Sequence, residues 1–417
     1  MPKIPPRFKR FLKILGPGLI TGAADDDPSG IGTYSLAGAQ FGYGLLWTAW
    51  LTLPLMAAVQ EICGRIGLVT GAGLARVIKD HYPRPLLWLV TVLLIAANVF
   101  NIGADLSGMA AALRLLFPVH ELLSAFFLTV FLVVLLIQLP YRKIANVFKW
   151  LTLPLFAYVI TFFIVEKNYQ GLLAGTFLPA LSLFTRPAYL LMLVGVLGTT
   201  ISPYLFFWQA SEEVEEEKIS HKIVTKHELR NEAEDTVSGM VLSNIVTFFI
   251  IATTGATLFT AGLTNINTAA EAASALRPLA GNLAFLLFAV GIFGTGVLAI
   301  PVLAGSAAYA VAETFSFSEG LNKPFRRAKA FYLVIILSTA VGFLLNLAGL
   351  NPIKYLLYSA VLNGLIAPVL IAVIILIANN RKIMGSYRNN LPSNFLAGVA
   401  FILMFLSAVA LLFSMRS

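Results

Sequence analysis

The residues Asp25-Asp26-Asp27-Pro28-Ser29-Gly30 interrupt an apolar segment that is otherwise long enough to cross a membrane. An aspartate at membrane depth costs about 2.5 kcal/mol or more, so such residues usually line a cavity or an ion path. Pro28 and Gly30 also disfavour a continuous helix. Broken backbone is tolerated in a bilayer only where protein or a water-filled cavity satisfies its polar groups. The stretch therefore predicts a transporter whose first membrane helix is broken at an acidic site.

The composition of the 417-residue chain also indicates a membrane protein. Hydrophobic residues make up 58% of it and charged residues 12%, whereas a soluble domain carries about 25% charged residues. The net charge of +9 does not indicate a nucleic-acid partner, because the Lys and Arg residues lie in short loops, as the positive-inside rule predicts. The single cysteine, Cys63, excludes an internal disulfide.

Apolar segments long enough to span a bilayer predict about eleven transmembrane helices. They lie near residues 12–42, 44–66, 86–115, 121–139, 145–165, 188–210, 236–261, 283–312, 328–349, 353–378 and 394–414. Basic loops alternate with loops that carry few cations, which predicts a cytoplasmic N-terminus and an extracellular C-terminus. We expect residues 1–417 to form a single multi-pass domain in the plasma membrane.

A polar stretch over residues 211–235 is rich in glutamate and lysine and follows the sixth span. Its charge spacings predict a solvated cytoplasmic helix and loop. An alternative is an acidic vestibule that concentrates cations at the inner mouth.

A second interruption, Thr199-Thr200-Ile201-Ser202-Pro203-Tyr204, lies in the middle of the sixth span. The first and sixth spans each open a block of five. Broken helices at matching positions in two halves indicate an inverted-repeat transporter, with the substrate between them near the midplane. The prediction is an all-α membrane protein with a first repeat over 12–165, a second over 188–378 and one extra helix over 394–414.

The groups available at both breaks are hard oxygen donors. They are backbone carbonyls, the Asp27 carboxylate and the hydroxyls of Ser29, Thr199, Thr200 and Ser202. Neither break contains Cys, Met or His, and softer divalent metals favour imidazole or sulfur, whereas Mg²⁺ and Ca²⁺ favour oxygen. Mg²⁺ usually keeps several waters, and small residues such as Gly30 leave room for a hydrated ion.

At these residues the chain resembles the Nramp family of divalent-metal transporters. The resemblance is carried by Gly16-Pro17-Gly18-Leu19-Ile20, Asp27-Pro28-Ser29-Gly30 and Ala37-Gly38-Ala39-Gln40-Phe41-Gly42-Tyr43 in the first span, and by Gly195 to Tyr204 in the sixth. It implies a LeuT-type fold of two inverted five-helix repeats plus extra helices. It also implies metal binding at Asp27, with backbone carbonyls near Ala24 and Thr199.

The chain departs from the family pattern at several ligands. The family's Asp-Pro-Gly-Asn reads Asp27-Pro28-Ser29-Gly30, and its Met-Pro-His reads Ser202-Pro203-Tyr204. A second family histidine aligns with Gln209, and an acidic pair on the third span aligns with Ile102 and Asp105. This pattern resembles the branch called Nramp-related magnesium transporters. It implies Mg²⁺, and also Mn²⁺, as the transported ion, with weak or absent proton coupling.

We predict two sets of site residues. The metal-binding set is Asp27, Ala24, Gly30, Thr199 and Ser202. The cavity or vestibule set is Asp25, Asp26, Ser29, Thr200, Tyr204, Gln209, Asp105 and Asn363. Two further pairs are interpreted as structural: Asn98 and Asn101 as interhelical hydrogen-bond formers, and Glu61 and Arg65 as an ion pair.

The leading interpretation is a secondary transporter or uniporter for hydrated Mg²⁺, monomeric, embedded in a lipid bilayer and without a cofactor. The nearest alternative is a proton-coupled Mn²⁺ or Fe²⁺ transporter. An amino-acid/Na⁺ symporter is a further alternative, although three aspartates would repel a substrate carboxylate. An enzyme is not expected, because the sequence has no nucleophile-and-base motif and no His-Glu-x-x-His motif.

Overall fold

The computed structural model describes residue 22 and residues 24–220 and 225–415. These residues form helices and connecting turns, with no strand among them. The α-helices, numbered here in chain order, are α1 Pro28–Phe41, α2 Leu46–Thr70, α3 Leu74–His81, α4 Arg84–Arg114, α5 Glu121–Gln138, α6 Tyr141–Phe148, α7 Phe156–Val165, α8 Tyr169–Phe177, α9 Pro187–Thr200, α10 Pro203–Ser220, α11 Lys226–Thr254, α12 Ala269–Ala273, α13 Arg277–Ala280, α14 Ala284–Phe315, α15 Lys329–Leu345, α16 Pro352–Asn379, α17 Arg381–Met384 and α18 Leu391–Ser414.

Several long helices begin at a capping side chain followed by a good first-turn residue. Asp27 caps α1 and Pro28 follows, while Asn351 caps α16 ahead of Pro352. Thr225 caps α11 by accepting a hydrogen bond from the Glu228 backbone N–H. Such caps satisfy N–H groups that have no partner inside the helix, and proline at the first position loses nothing. The apolar runs therefore begin as helices at defined residues.

The helices account for the predicted spans. In the described part of the chain, nine helical runs are long and apolar enough to cross a membrane, and Trp150–Val165 is a shorter apolar helix where the fifth span is predicted. The helix α1 matches the second half of the first span, whose earlier half lies outside the described residues. The prediction of an all-α membrane fold with about eleven spans is thus confirmed.

The fifth span differs from its prediction as one helix over 145–165. It consists of α6, a tighter 3₁₀ stretch Lys149–Leu155 and α7. Pro154 lies inside the 3₁₀ stretch. Because proline lacks an N–H donor and clashes with the preceding turn, a continuous α-helix is disfavoured there. The division of the chain into two repeats stays a prediction.

The described part of the acidic stretch after the sixth span is more buried than predicted. The sixth-span helix α10 continues to Ser220, and α11 begins at Lys226. Glu213, Glu232 and Asp235 are buried, so the prediction of a solvated helix is wrong for these side chains. Glu232 fits against α2 because Gly64 has no side chain that would occupy the same space.

Close helix packing fixes the position of the two broken helices. The helix α1 packs against α4, α9, α11 and α16. A Cβ atom at Gly198 would overlap the Ala360 carbonyl oxygen and the Gly364 nitrogen. The backbones of α9 and α16 therefore approach this closely because Gly198 and Gly364 have no side chains. Asn98 donates a hydrogen bond to the Leu303 carbonyl at 2.9 Å and links α4 to α14. The break residues therefore lie among packed helices.

Candidate metal site between two broken helices

Asp27 shapes the first break. Ala24 and Asp25 are helical, Asp26 and Asp27 are not, and the helix resumes at Pro28. The Asp27 Oδ1 atom accepts hydrogen bonds from the Gly30 N–H at 2.6 Å and from the Ser29 hydroxyl at 2.7 Å. This carboxylate thus caps α1 with one oxygen and leaves the other for a different partner.

That second oxygen faces α4. The Asn101 side-chain amide donates to Asp27 Oδ2 at 2.8 Å, and the Ser29 N–H donates to Asp105 Oδ1 at 3.1 Å. Asp27 and Asp105 are therefore brought to the same place, with Ser29 between them. Asn101 forms the interhelical hydrogen bond predicted for it, but its partner is the predicted metal ligand itself. Asn101 and Asp105 are four residues apart and so lie on one helix face. This spacing is the feature of the sequence that could have predicted that both face the first break.

The other two aspartates face α11. The Ser243 hydroxyl lies 2.6 Å from Asp25 Oδ2 and 3.1 Å from Asp26 Oδ1. Ser243 is buried in an apolar helix and belongs to no local motif. Sequence reasoning missed it because only the folded structure brings α11 against the break.

The second break lies beside the first. The helix α9 ends at Thr200 and α10 begins at Pro203. The Ser202 hydroxyl donates to the Thr199 carbonyl at 2.6 Å, and Tyr34 Oη lies 3.1 Å from Thr200 Oγ1. A Cβ atom added at Gly30 would stand 3.1 Å from Thr199 Oγ1. The small residue at position 30 thus allows the two breaks to meet.

Tyr204 connects the breaks directly. Its hydroxyl donates to the Ala24 carbonyl at 3.0 Å. The carbonyls of Ala24 and Thr199, both predicted ligands, therefore each accept one hydrogen bond. A carbonyl oxygen has two lone pairs, so each retains one for a cation or a water molecule.

Two predicted cavity residues form none of the hydrogen bonds described above between the breaks. The Gln209 side chain donates to Glu213 Oε1 at 3.0 Å and to Thr236 Oγ1 at 3.3 Å, six residues beyond the second break. Asn363 is buried in α16, and its Nδ2 atom has no hydrogen-bond partner among the described residues. Glu61 and Arg65 form the predicted ion pair at 2.9 Å, away from both breaks.

The electrostatics of the site favour a cation. Asp25, Asp26, Asp27 and Asp105 are all at most 4% exposed. Within the described residues, their hydrogen-bond donors are hydroxyl, amide and backbone N–H groups. Buried carboxylates without a compensating cation are unfavourable. A positive ion at the breaks would remove that cost.

Side chains alone do not enclose such an ion. Among the described residues, no three His, Cys, Asp or Glu side chains converge as a metal cluster. The remaining donors are the carbonyls of Ala24 and Thr199, the nearby hydroxyls and water. A mixed shell of carboxylate, carbonyl and water oxygen suits hard divalent ions, including Mg²⁺, Ca²⁺ and Mn²⁺.

Fold and site together define a multi-pass membrane protein of the LeuT type, with an acidic site between two discontinuous helices. A family profile described as "Natural resistance-associated macrophage protein-like", or Nramp, matches residues 18–414. The chain therefore belongs to the Nramp family.

One relative is the divalent metal cation transporter MntH of Mesorhizobium japonicum. It is 28% identical over 304 residues, which cover 70% of this chain and 65% of the relative. The match thus spans just under two thirds of that protein's length.

Solved structures share the fold. A manganese transporter of Eremococcus coleocola, in complex with an aromatic bis-isothiourea compound, has a TM-score of 0.76 and 19% identity, covering 98% of this chain and 88% of that one. The structure of MhsT with L-phenylalanine has a TM-score of 0.59 and 14% identity, covering 96% and 97%. At these identities the likeness establishes the fold alone.

Proposed function

We propose that this chain transports divalent metal cations across a membrane, with Mn²⁺ as the cargo. The observation that carries the proposal is the Asp27 carboxylate, buried at the first break and oriented by Asn101 on α4. A buried ionisable group at a helix break is the usual mark of a substrate or ion site in a membrane protein. The proposed ligands are Asp27, the carbonyls of Ala24 and Thr199, and the Ser202 hydroxyl.

The choice of Mn²⁺ follows the relatives rather than the resemblance to the magnesium branch. MntH is named a divalent metal cation transporter, and the Eremococcus coleocola protein is a manganese transporter. An oxygen shell accepts Mn²⁺ as well as Mg²⁺, so the site is compatible with this cargo. The cargo of the alternative interpretation, a proton-coupled Mn²⁺ or Fe²⁺ transporter, is therefore better supported than the Mg²⁺ of the leading interpretation from sequence.

Mg²⁺ is the second candidate cargo, favoured by one specific observation. Ser202 stands where the family carries a methionine, so a hydroxyl replaces a soft thioether beside Thr199. Mg²⁺ prefers oxygen and retains part of its water shell. The hydroxyl and carbonyl groups at the breaks suit hydrogen bonds to such waters.

We also propose a plasma-membrane location with the N-terminus inside, since the basic loops alternate along the chain. Transport would proceed through a monomer in which the two five-helix repeats move against each other around the breaks.

The test is uptake into proteoliposomes under a fixed membrane potential. We expect Mn²⁺ entry, and we expect Asp27→Ala to abolish it in a protein that still elutes as a single folded species. Asp80→Ala is the matched control, because Asp80 is an exposed residue of α3 that pairs with Arg76. Normal Mn²⁺ and Mg²⁺ uptake by a folded Asp27→Ala variant would refute the assignment. Competition by excess Mg²⁺ distinguishes the two cargoes.

A further inference from the structure

The acids of the first break face two different helices. Asp27 faces α4 through Asn101, and this side holds the proposed cargo site. Asp25 and Asp26 face α11, where both approach the single hydroxyl of Ser243. The α11 side therefore carries a second group of polar side chains, which the proposed cargo ligands do not include.

Ser243 cannot satisfy both carboxylates. Its oxygen is 2.6 Å from Asp25 Oδ2 and 3.1 Å from Asp26 Oδ1, yet a serine hydroxyl has one proton to donate. Both aspartates are almost fully buried. Two buried carboxylates that share one donor repel each other and lack compensation. A further positive charge between them would satisfy both.

A buried oxygen of this pair also lacks a partner. Asp25 Oδ1 has no hydrogen-bond partner among the described residues, and its side chain is fully buried. Thr247 follows Ser243 by four residues in α11, so the two hydroxyls lie on one helix face. Buried polar atoms are normally paired, and each exception calls for an explanation. A bound ion supplies one here.

We propose that Asp25, Asp26, Ser243 and Thr247 form a second cation subsite, which can hold its ion at the same time as the cargo site holds the cargo. All four donors are oxygen, so the ligand is a hard cation, either Na⁺ or a second divalent ion. The inference rests on the proposed transport function, because it gives the cargo a neighbouring ion. The subsite also places a charge-compensating ion where the chain carries no histidine in either break.

Equilibrium binding on the purified full chain tests the subsite. Titration with MnCl₂ is done in NaCl and in choline chloride, and binding of radioactive Na⁺ is measured separately. A second divalent ion predicts two Mn²⁺ per chain in choline chloride, whereas a Na⁺ subsite predicts one Mn²⁺, bound more tightly in NaCl. The Ser243→Ala/Thr247→Val variant should weaken the second ion by about ten-fold or more, the cost of losing a ligand to a charge.

Controls separate this subsite from the cargo site and from misfolding. Ser238→Ala, on the same helix but with its hydroxyl exposed, should bind both ions normally. Asp26→Asn keeps the shape of the side chain and should weaken the binding of the second ion. It serves as the test if the double variant does not fold. Asp27→Ala should lose the cargo ion and keep the second.

One Mn²⁺ per chain, unaffected by Na⁺ and by the Ser243→Ala/Thr247→Val substitutions, would overturn the inference. Proton release on Mn²⁺ binding that disappears in those variants would overturn it as well, because the pair would then hold a proton. Mn²⁺ binding that survives Asp27→Ala unchanged would instead refute the proposed cargo site.

Discussion

At the scale of single residues, the site depends on one carboxylate whose two oxygens bind different partners. Asp27 Oδ1 caps α1, and Oδ2 is held by the Asn101 amide. The first interaction is local in sequence and the second joins α1 to α4. Asp27 is therefore oriented by two independent parts of the chain.

Replacing Asn101 by alanine should weaken Mn²⁺ uptake. The carboxylate would lose a charge-assisted hydrogen bond worth about 1.5–3 kcal/mol, which corresponds to about ten-fold or more in affinity. The measurement is the Mn²⁺ concentration for half-maximal uptake in proteoliposomes. Asn98→Ala is the control, since Asn98 lies on α4 like Asn101 but donates its hydrogen bond to the Leu303 carbonyl of α14. Equal effects of both substitutions would contradict a specific role for Asn101.

The oxygen character of the site should change when soft or tighter ligands are restored. Gly30→Asn with Ser202→Met adds an amide oxygen and a thioether, and a side chain at position 30 enters the space beside Thr199. We expect Cd²⁺ and Mn²⁺ to bind better relative to Mg²⁺, because sulfur favours softer ions. Competition between the ions in a binding assay measures this ratio. An unchanged ratio would mean that these positions do not contact the ion.

At the scale of helices, proline and glycine explain what sequence could and could not predict. Pro28 and Pro203 mark the breaks locally, so both were predictable. Pro154 marks the 3₁₀ stretch in the same way, but it lies within a continuous apolar run, which predicts a single helix. Ser243 and the buried Glu232 carry no local signal, because their roles depend on which helix packs beside them.

The contact between α9 and α16 predicts a large effect of one methyl group. Gly198→Ala would place a Cβ atom against the backbone of Ala360 and Gly364. Overpacking typically costs about 1–3 kcal/mol, so we expect a lower melting temperature in detergent and reduced uptake.

Gly398→Ala provides the comparison for that substitution. Gly398 lies inside α18 with open space around it. Alanine favours a helix over glycine by about 1 kcal/mol, so this variant should melt at the same or a higher temperature. A Gly198→Ala protein as stable as the Gly398→Ala protein would show that the helices separate at little cost.

At the scale of the whole molecule, loop charge predicts orientation. Single cysteines at Lys9 and Ser417, in a Cys63→Ala background, should differ in labelling by a membrane-impermeant thiol reagent on intact cells. We expect Ser417 to label and Lys9 to remain protected, because the basic N-terminus is retained inside. Cys63 is the single native cysteine and is buried in α2. Its replacement leaves no other thiol that could react with the reagent. Equal labelling at both positions would contradict eleven spans.

Proton coupling is also a property of the whole transport path, and we predict that it is weak in this protein. Tyr204 and Gln209 occupy positions where the family carries histidines, and neither exchanges protons readily at neutral pH. With a pH-sensitive dye inside proteoliposomes at fixed potential, Mn²⁺ entry should cause little acidification. Mn²⁺-dependent acidification that Asp27→Ala abolishes would instead indicate proton coupling.

The absence of sulfur and imidazole from both breaks has a consequence for the cell that carries this protein. Thiophilic poisons such as Cd²⁺ and Hg²⁺ owe much of their affinity to soft ligands, and Ser202 offers them a hydroxyl instead. The candidate metal site would then distinguish a nutrient ion from a toxic ion of similar size by the chemistry of its ligands. If the proposed transport function holds, we expect cells that rely on this protein for their metal to tolerate Cd²⁺ and Hg²⁺ better than cells that rely on a thioether-bearing relative.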